Sequence, residues 1–364
     1  MQLKSIPVFP FCLICLISLF GIVILYSVNS GNIYPWAYNQ LIRFFIGIIF
    51  LYIGMCIDVS FWKRNAYIFY FIGIILLLFV TIVGKVSMGA QRWLNLYFFN
   101  FQPSELMRIF MVITFARYFS SMSVENVRRM SNIIIPLILL GFPMILVLLQ
   151  PDLGTAMLLL LVGLSIFFVC GVQIWKFLVS FGIVVISAPI LWNMLHDYQR
   201  NRILMFISPE QDPSGAGYHI IQSQIALGSG GIFGKGLLNG TQCQLNFLPE
   251  KQTDFVFSAL GEELGFIGCC ILILLYSLLI IYNFSVSVNN KNKFNQLLVF
   301  GLNSMLFYYI FINISMVCGI LPVVGIPLPF FSYGGSALVV LMFCQGIIFS
   351  VDNDRRSSSS LKFS

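Results

Sequence analysis

Apolar runs of about membrane-spanning length recur about ten times in this sequence, and no other feature constrains its fold as strongly. An α-helix rises about 1.5 Å per residue, so about twenty residues cross the hydrocarbon core of a bilayer. In that core every backbone N–H and C=O group needs an internal partner, which a helix provides. We therefore predict an all-α, polytopic membrane protein with about ten transmembrane helices. The runs are residues 8–28, 40–57, 66–84, 104–119, 132–149, 153–172, 175–195, 255–282, 294–318 and 333–351.

Composition excludes the main alternatives to a membrane protein. Of the 364 residues, 59% are hydrophobic and 9% are charged, whereas about a quarter of the residues of a soluble domain are charged. So few charges cannot cover a soluble enzyme, and a disordered chain would be far more polar. Cys243 alone among the nine cysteines lies in a polar loop, which excludes a disulfide scaffold. The first run is too long, and followed by too many others, to be a cleaved signal peptide.

The net charge of +7 is unevenly distributed among the loops. If the N-terminus is cytoplasmic, the segments on that side hold twelve of the twenty basic residues. This positive-inside pattern predicts that both termini are cytoplasmic, and it removes the main argument for nucleic-acid binding. We expect one transmembrane domain over residues 1–354 and a disordered cytoplasmic tail over residues 355–364. The twelve basic residues are Lys4, Lys63, Arg64, Arg117, Arg128, Arg129, Lys176, Lys291, Lys293, Arg355, Arg356 and Lys362.

Two segments interrupt the apolar pattern. A long extracytoplasmic loop, residues 196–253, precedes the eighth span, and its stretch Tyr218–Leu227 predicts an amphipathic helix on the membrane surface. The second segment, Gly319–Ser336, contains three prolines and cannot form a continuous helix. Irregular backbone at membrane depth must be buried in protein or line a cavity.

The Gly-rich stretch Gly228–Gly236 is similar to a phosphate-binding loop, but it lacks the required residues. A Walker A loop needs Gly where Ser229 stands and Ser or Thr where Gly236 stands, and no strand precedes it. A flexible turn is the simpler interpretation. Alternatively, Lys235 in this stretch could approach the pyrophosphate of a lipid.

Charged residues within or beside the spans are candidates for function. Glu105 and Arg108 are three residues apart near the start of the fourth span, so they share a helix face and predict an ion pair, structural or functional. Asp152 lies in a short outer turn, where an N-cap for the next helix is the simpler interpretation. Glu262 and Glu263 lie inside the eighth span and need either protonation or partners, for which Arg43 and Arg108 are candidates.

Asp254 is the acid on which the functional hypothesis depends. It lies at the outer mouth of the eighth span, with Lys251 close in sequence. A helix cap or a residue at the membrane interface is the alternative interpretation.

Seven stretches of this sequence resemble the motifs of the SEDS family (shape, elongation, division, sporulation), and most closely its elongation branch. The resemblance covers nearly the whole chain in the right order, and it departs from the family at Gln252, where histidine is usual. The stretches are Gly89–Leu94 (GAQRWL), Phe101–Leu106 (FQPSEL), Gln150–Ala156 (QPDLGTA), Gly215–Ser223 (GAGYHIIQS), Gly228–Gly236 (GSGGIFGKG), Gly240–Glu263 (GTQCQLNFLPEKQTDFVFSALGEE) and Gly325–Ser336 (GIPLPFFSYGGS).

The resemblance implies a ten-span glycosyltransferase of the bacterial cytoplasmic membrane, with its active site on the extracytoplasmic face. Its substrate would be lipid II, an undecaprenyl-pyrophosphate disaccharide-pentapeptide, and its product the β-1,4 glycan strand of peptidoglycan for cell elongation and rod shape. Its partners would be a class B penicillin-binding protein, which supplies transpeptidation, the other proteins of the elongation complex, and membrane lipid.

The resemblance also implies roles for individual residues. Asp254 would be the general base that takes the proton of the acceptor hydroxyl, since a pyrophosphate leaving group needs no acid. Cations would stabilise the charge that develops on the pyrophosphate, and a divalent cation, Mg²⁺ or Mn²⁺, could share this task without a recognisable site in the sequence. The remaining residues predicted to contact substrate are Arg92, Glu105, Arg108, Asp152, Arg200, Arg202, Lys235 and Lys251.

Two other functions use the same features. A lipid II flippase also needs an apolar groove and cations, but its polar groups would line the whole path across the membrane. A non-catalytic scaffold for the penicillin-binding protein would tolerate substitution of Asp254. The charged residues cluster near the outer face, which favours chemistry there over transport.

Overall fold

The computed structural model describes residues 5–87, 90–95, 100–194, 200, 204, 206, 216–245, 247–248 and 250–360. For residues 85–87, 90–92, 95, 100, 190–191, 194, 216 and 358–360 it describes the backbone alone. In chain order the elements are α1 (Val8–Val28), α2 (Trp36–Cys56), α3 (Val59–Val83), β1 (Lys85–Ser87), β2 (Ala90–Asn95), β3 (Asn100–Phe101), α4 (Pro103–Ser120), α5 (Val124–Arg128), α6 (Ser131–Leu149), α7 (Leu153–Val169), α8 (Ile174–Met194), α9 (Ala216–Ser229), α10 (Thr241–Gln244), α11 (Val256–Val288), α12 (Lys293–Val317) and α13 (Ser336–Ser360).

Each of the ten apolar runs contains a helix. Among the described residues, seven of these helices are long and apolar enough to cross a membrane, and α7 and the Ile174–Pro189 part of α8 are shorter apolar segments. The remaining one, α4, carries three charges, Glu105, Arg108 and Arg117, which lower its apolarity. Large apolar side chains such as Ile82 and Ile186 stay exposed, as they do on helices that face lipid. The prediction of an all-α, multi-pass membrane protein is confirmed.

A small sheet in the segment between α3 and α4 was not predicted. Its three short strands pair antiparallel in the order β1-β2-β3, with Val86 opposite Gln91 and Leu94 opposite Phe101. Hairpin pairing lets a segment outside the helices satisfy its backbone N–H and C=O groups locally. The sheet ends directly before α4, whose Pro103 stands in the first turn, where its missing N–H costs no hydrogen bond.

The chain divides into two compact units. The first unit comprises Met1–Asp58, Leu204–Val288 and Leu306–Ser364, and the second comprises Val59–Ile203 and Asn289–Met305. The single transmembrane domain over residues 1–354 stays a prediction.

In the first unit, α2 packs along α13, and α1 packs along α11. Glycines allow the close approach of α2 and α13: a Cβ atom on Gly54 would lie 2.7 Å from the Phe343 carbonyl oxygen, and one on Gly47 would lie 2.9 Å from Leu338. Small residues at such contacts are typical of membrane helices, whose backbones must come close to gain dispersion energy. This packing fixes the α2 face that is adjacent to the candidate site.

In the second unit, α3 packs against α4, and α6 packs against α7. Thr114 of α4 donates a hydrogen bond to the Ala66 carbonyl oxygen of α3 (3.2 Å), and Tyr70 of α3 donates one to Leu139 of α6 (3.0 Å). Most of α4 is buried, including its charged residues Glu105 and Arg108. A buried α4 explains how its charges can lie in a chain that is otherwise so apolar.

The last helix continues beyond the point where we predicted a disordered tail. Helix α13 runs to Ser360, so residues 355–360 are helical, and residues 361–364 lie outside the described residues. Two ion pairs stabilise this end of the helix, because Arg355 and Arg356 both contact the fully buried Asp352, at 2.6 and 2.8 Å. The helix therefore continues through the first six residues of the predicted tail, and disorder of the tail stays a prediction.

The predicted backbone conformation of both irregular segments is confirmed where they are described, and the location of the first on the membrane surface stays a prediction. The stretch Tyr218–Leu227 lies within helix α9, and Ser223 of that helix donates a buried hydrogen bond to the Val317 carbonyl oxygen (2.6 Å). Residues 319–335 form no helix. Asn313 of α12 supports the second segment by donating a hydrogen bond to the Ile326 carbonyl oxygen (2.7 Å).

Candidate functional site

Asp254 lies in a turn directly before α11 and is half-buried. Asn313 donates a hydrogen bond to its carbonyl oxygen (3.0 Å). Its Oδ2 atom faces Gly325, where a Cβ atom would lie 3.5 Å away. The Tyr333 N–H donates to the Gln252 carbonyl oxygen (2.9 Å), so the irregular segment 319–335 is attached to the turn that holds Asp254. The carboxylate therefore lies against the irregular backbone of segment 319–335, directly before the first turn of α11.

Lys251 lies three residues before Asp254 and is buried. Its ammonium group donates a hydrogen bond to the Cys243 carbonyl oxygen (2.6 Å) and lies 5.7 Å from the centre of the Trp36 ring. Burial lowers the pKa of Lys251 below its ordinary value, because the charged form loses hydration. The structure therefore brings a lysine, an aromatic ring of α2 and the turn of Asp254 together in the first unit.

The Gly-rich stretch Gly228–Gly236 fits into a break in helix α11. Gly265 interrupts the helix with φ 65° and ψ −162°, a conformation that only glycine adopts readily. Backbone groups of the stretch pair with the groups that the break frees: Phe266 N–H donates to Gly231 O (2.9 Å), and Gly236 N–H donates to Glu263 O (2.9 Å). The stretch is thus a turn that is attached to α11 by backbone hydrogen bonds, and its flexibility stays a prediction.

Lys235 pairs with Glu262, an acid inside α11. The distance from Lys235 Nζ to Glu262 Oε1 is 2.7 Å, and the Glu262 side chain is 0% exposed. Glu262 also accepts hydrogen bonds from Thr241 Oγ1 (3.0 Å), Gln242 N (3.0 Å) and Cys243 N (3.4 Å), the first three residues of α10. One carboxylate therefore holds the Gly-rich stretch and α10 together.

These contacts correct the predicted partners of the two acids in α11. We suggested Arg43 or Arg108 for Glu262 and Glu263, but Lys235 is the partner of Glu262. Glu263 Oε1 accepts a hydrogen bond from Ser27 of α1 (2.6 Å). The prediction was wrong because it considered only residues within spans, whereas the lysine comes from a loop.

Glu105 and Arg108 form the predicted ion pair in the second unit. Arg108 Nη2 lies 3.0 Å from Glu105 Oε1, and the arginine side chain is 2% exposed. Arg108 Nε also donates to the Ser104 carbonyl oxygen (3.4 Å). The pairing is confirmed, and a contact of either residue with substrate stays a prediction.

Asp152 is the N-cap of α7, as its simpler interpretation required. Its Oδ1 accepts a hydrogen bond from the Thr155 N–H (3.1 Å), and its Oδ2 accepts one from Gln102 Nε2 (3.0 Å). Gln102 directly precedes α4, so this hydrogen bond joins the starts of α4 and α7. A contact of Asp152 with substrate is not needed to explain its position, and it stays a prediction.

The three remaining arginines are less fully described. Arg200 donates hydrogen bonds to the carbonyl oxygens of Trp192 (2.9 Å) and Asn193 (2.8 Å), near the end of α8. The Arg92 backbone lies in β2, and its side chain is outside the described part of the chain. Arg202 lies outside the described residues altogether.

Several residues around these groups were not singled out from the sequence. Asn313 supports the Asp254 turn, Ser27 holds Glu263, and Gln102 holds Asp152. The signal for Asn313 was present, because a polar side chain inside an apolar run has a functional or structural partner by default. Ser27 lies at the end of its apolar run, residues 8–28, where a polar residue is expected, so its contact with Glu263 could not be predicted.

An open apolar groove of about 600 Å³ lies in the first unit, between α1 and α11. Phe233 of the Gly-rich stretch Gly228–Gly236 closes part of the groove. Its lining residues are Leu16, Phe20, Phe233, Leu264, Ile267, Gly268, Ile271 and Leu275. Among the described residues, no group of three or more His, Cys, Asp or Glu side chains is placed to hold a metal ion.

Comparison with known proteins identifies relatives that match more than three quarters of this chain. The chain is 49% identical over 287 residues to the peptidoglycan glycosyltransferase MrdB of Escherichia coli strain K12, covering 78% of this chain and 76% of that protein. It is 36% identical over 290 residues to the probable peptidoglycan glycosyltransferase FtsW of Buchnera aphidicola subsp. Baizongia pistaciae, covering 79% of this chain and 76% of that protein.

Two solved structures share the fold over nearly the whole chain. A chain from a peptidoglycan synthase complex, described as coordinating polymerization and crosslinking, matches with a TM-score of 0.84 and 28% identity over 96% of this chain and 98% of that one. The rod shape determining protein RodA of Thermus thermophilus matches with a TM-score of 0.72 and 25% identity over 98% of this chain and 99% of that one. The sequence profile of the FtsW, RodA and SpoVE family, described as cell cycle proteins, matches residues 6–357. The chain therefore belongs to the FtsW/RodA/SpoVE family, which confirms the resemblance that its motifs indicated.

Proposed function

We propose that this protein is a peptidoglycan glycosyltransferase that polymerises lipid II into β-1,4 glycan strands for cell elongation. The observation that carries the proposal is the 49% identity to a peptidoglycan glycosyltransferase over 78% of this chain. The chemistry adds support, because a half-buried carboxylate, Asp254, lies at the mouth of an apolar helix beside the buried Lys251.

In the proposed reaction Asp254 acts as the general base. Its carboxylate takes the proton of the acceptor sugar 4-hydroxyl as that oxygen attacks the donor anomeric carbon. A new carbon–oxygen bond forms on one face of the sugar, and the bond to the pyrophosphate breaks on the other, so the α-linkage becomes β. The pyrophosphate leaves with its electron pair and needs no proton at pH 7, so one carboxylate suffices.

The surrounding residues support this role for Asp254. The Asn313 hydrogen bond to its carbonyl oxygen limits the movement of the turn, and positioning of this kind lowers the entropic barrier to reaction. Lys251 supplies positive charge near the same turn and would stabilise the leaving group. A divalent cation, Mg²⁺ or Mn²⁺, fits a site with few carboxylates, because such ions are often bound by one carboxylate together with substrate phosphates. Asp254 would hold it, and it would neutralise pyrophosphate charge.

The apolar groove between α1 and α11 fits the hydrocarbon tail of a polyprenyl substrate. Apolar side chains line it, and it is open, as a site filled from the bilayer must be. The positive-inside pattern supports a location in the bacterial cytoplasmic membrane with Asp254 on the extracytoplasmic side. Lipid II bound from that leaflet would place its sugars beside Asp254.

The proposed partner is a class B penicillin-binding protein within the elongation complex. The support is the structural match to a chain of a peptidoglycan synthase complex that coordinates polymerization with crosslinking. When the polymerase releases its strand next to a transpeptidase, the transpeptidase can crosslink the strand before it diffuses away.

The test is glycan synthesis from purified lipid II by the purified protein and its Asp254→Asn variant, each with and without the partner. The amide keeps the shape but loses the basicity, so we expect the rate to fall about 10²–10⁴-fold. Glu125→Gln, on the exposed helix α5, is the matched control and should behave as the native protein. Near-normal synthesis by Asp254→Asn would refute the base assignment. Absence of synthesis by the native protein with its partner, together with lipid II transfer across vesicles, would replace the proposal with a flippase.

A further inference from the structure

We infer that Arg43 of α2 binds the pyrophosphate of the lipid-linked substrate, as a second cation beside Lys251. The inference rests on the proposed function, because it assigns the site of a group that only such a substrate carries. Arg43 lies in a helix that is long and apolar enough to cross a membrane, where a charged side chain is expensive and usually pairs with an acid.

Arg43 has no acidic partner among the described residues. The acids that could have compensated it are engaged elsewhere: Glu262 pairs with Lys235, and Glu263 accepts a hydrogen bond from Ser27. The guanidinium instead lies over the Tyr333 ring, 4.1 Å from the ring centre. A cation–π contact orients the arginine but leaves its charge and its N–H donors available to an anion.

The face of α2 that carries Arg43 is the face next to the candidate site. Trp36, Gln40 and Arg43 are spaced by four and three residues, so they lie on one side of the helix. Trp36 lies under the ammonium group of Lys251. Gln40 is buried and donates a hydrogen bond to the Ser332 carbonyl oxygen (2.8 Å).

Arg43 lies over the irregular segment 319–335, which is attached to the turn of Asp254. Tyr333, whose ring contacts Arg43, donates its N–H to Gln252, two residues before Asp254. Next to it is Gly335, where a Cβ atom would lie 3.7 Å from Arg43 Nε. A glycine here leaves space beside the guanidinium that a side chain would fill.

These contacts identify the chemistry of the ligand. Two cations lie at one face of α2: Arg43 belongs to that face, and the Lys251 ammonium group lies over its Trp36 ring. Tyr333 connects Arg43 to the turn of Asp254, whose carboxylate would repel an anion brought to it alone. A pyrophosphate carries enough negative charge for both, and the planar guanidinium suits its paired oxygens. Arg43 is about two turns after Trp36, so it lies about 10 Å along α2 from the start of the helix. That depth suits a phosphate attached to a membrane-embedded tail.

The experiment measures binding separately from turnover. The full-length protein in nanodiscs is titrated with a fluorescent polyprenyl pyrophosphate, and in separate arms with polyprenyl monophosphate, inorganic pyrophosphate and phosphatidylglycerol. The variants are Arg43→Gln, Arg43→Lys and Asp254→Asn, and Arg64→Gln on the exposed start of α3 is the control. We expect Arg43→Gln to weaken binding of the polyprenyl pyrophosphate about ten- to a hundredfold, the loss typical of one charged hydrogen-bonded contact.

The other arms make the result specific. Arg43→Lys should lose less than Arg43→Gln, since charge remains while the planar fork is lost. In titrations without a divalent cation, Asp254→Asn should keep its binding of the polyprenyl pyrophosphate, and in the glycan-synthesis assay it should not polymerise. Equal binding by Arg43→Gln and the native protein overturns the inference, even if Asp254→Asn is inactive. Stronger dependence of phosphatidylglycerol binding on Arg43 also overturns it, in favour of a structural lipid. A lower melting temperature of Arg43→Gln with unchanged binding would show a structural role instead.

Discussion

Replacement of Glu262 by glutamine should open the outer segment that this acid holds. Glu262 Oε1 accepts hydrogen bonds from Lys235, Thr241 and the Gln242 N–H, and Oε2 accepts one from the Cys243 N–H. An amide oxygen can replace one of the two acceptors, but the amide nitrogen then faces another donor. The loss of the charged bond to Lys235 costs about 1.5–3 kcal/mol, and one buried N–H without a partner costs about 1–3 kcal/mol. We therefore expect Glu262→Gln to destabilise the closed segment by about 3–5 kcal/mol.

The reciprocal change should cost less. Lys235→Met leaves the carboxylate with three other hydrogen bonds, and the lysine side chain is 28% exposed in the native protein, so water already screens part of its charge. We expect a loss of about 1–2 kcal/mol for Lys235→Met. The two changes remove one shared contact, so the double variant should lose about 1–2 kcal/mol less than the sum of the single variants.

Cys243 provides the assay, because its thiol is completely buried and its N–H is one of the groups bound to Glu262. The rate at which a water-soluble maleimide modifies Cys243, followed by mass spectrometry, reports opening of this segment. A destabilisation of about 3 kcal/mol corresponds to modification more than about a hundredfold faster. Buried Cys170 in the second unit is the internal control, and its rate should not change. Unchanged protection of Cys243 in Glu262→Gln, or strict additivity with Lys235→Met, would refute the reasoning. If Lys235→Met instead raises the KM for lipid II without opening the segment, Lys235 contacts substrate as the sequence suggested.

Gly265→Ala should destabilise the protein by about 1–3 kcal/mol or more because of its backbone conformation, whereas Gly182→Ala, where a Cβ atom meets nothing within 4 Å, should be neutral or stabilising in thermal denaturation. Glu105→Gln and Arg108→Gln should couple in a double-mutant cycle of stability, since each change alone removes the same buried ion pair, and additive effects would contradict the pair. Burial, and then the nearby carboxylates of Glu262 and Glu263, raise the pKa of the Cys243 thiol above its ordinary value of 9.0. The thiol therefore ionises more readily when the segment is open, so protection should be complete below pH 9 and decline as the pH rises, and a flat profile to pH 11 would contradict this.

The sequence predicted the helices better than it predicted their connections. Each apolar run located a helix in the described part of the chain, because the cost of exposing backbone groups to lipid leaves a run of that length no other structure. The break at Gly265 could not be predicted, since one glycine in an apolar run of α11 is compatible with an unbroken helix. The small sheet was missed because strands of two to six residues leave little pattern.

The residues of the candidate site that belong to sequence motifs could be predicted. The contacts between residues far apart in the sequence could not. Asp254, Lys251 and the Glu105–Arg108 pair were identified from position and spacing. The partner of Glu262 was not, because Lys235 is 27 residues away in sequence and belongs to a different kind of segment. Arg43 was considered only as a partner for acids, and its position over Tyr333 depends on a contact between distant parts of the chain.

The insertion of the Gly-rich stretch into α11 has a consequence for biogenesis. The freed backbone groups around Gly265 cannot stay unpaired in lipid, so this helix is incomplete as an independent membrane segment. The Gly-rich stretch that pairs with these groups, the complement of the break, lies earlier in the chain. Gly231 and Phe266, which share one of the hydrogen bonds, are about 35 residues apart. During synthesis the complement therefore emerges first and is available when the helix arrives, and the short loop between them closes at little entropic cost. A long insertion between residues 236 and 254 would slow the pairing of the Gly-rich stretch with α11. Maturation of the protein in the membrane would then be limited by the rate of this pairing.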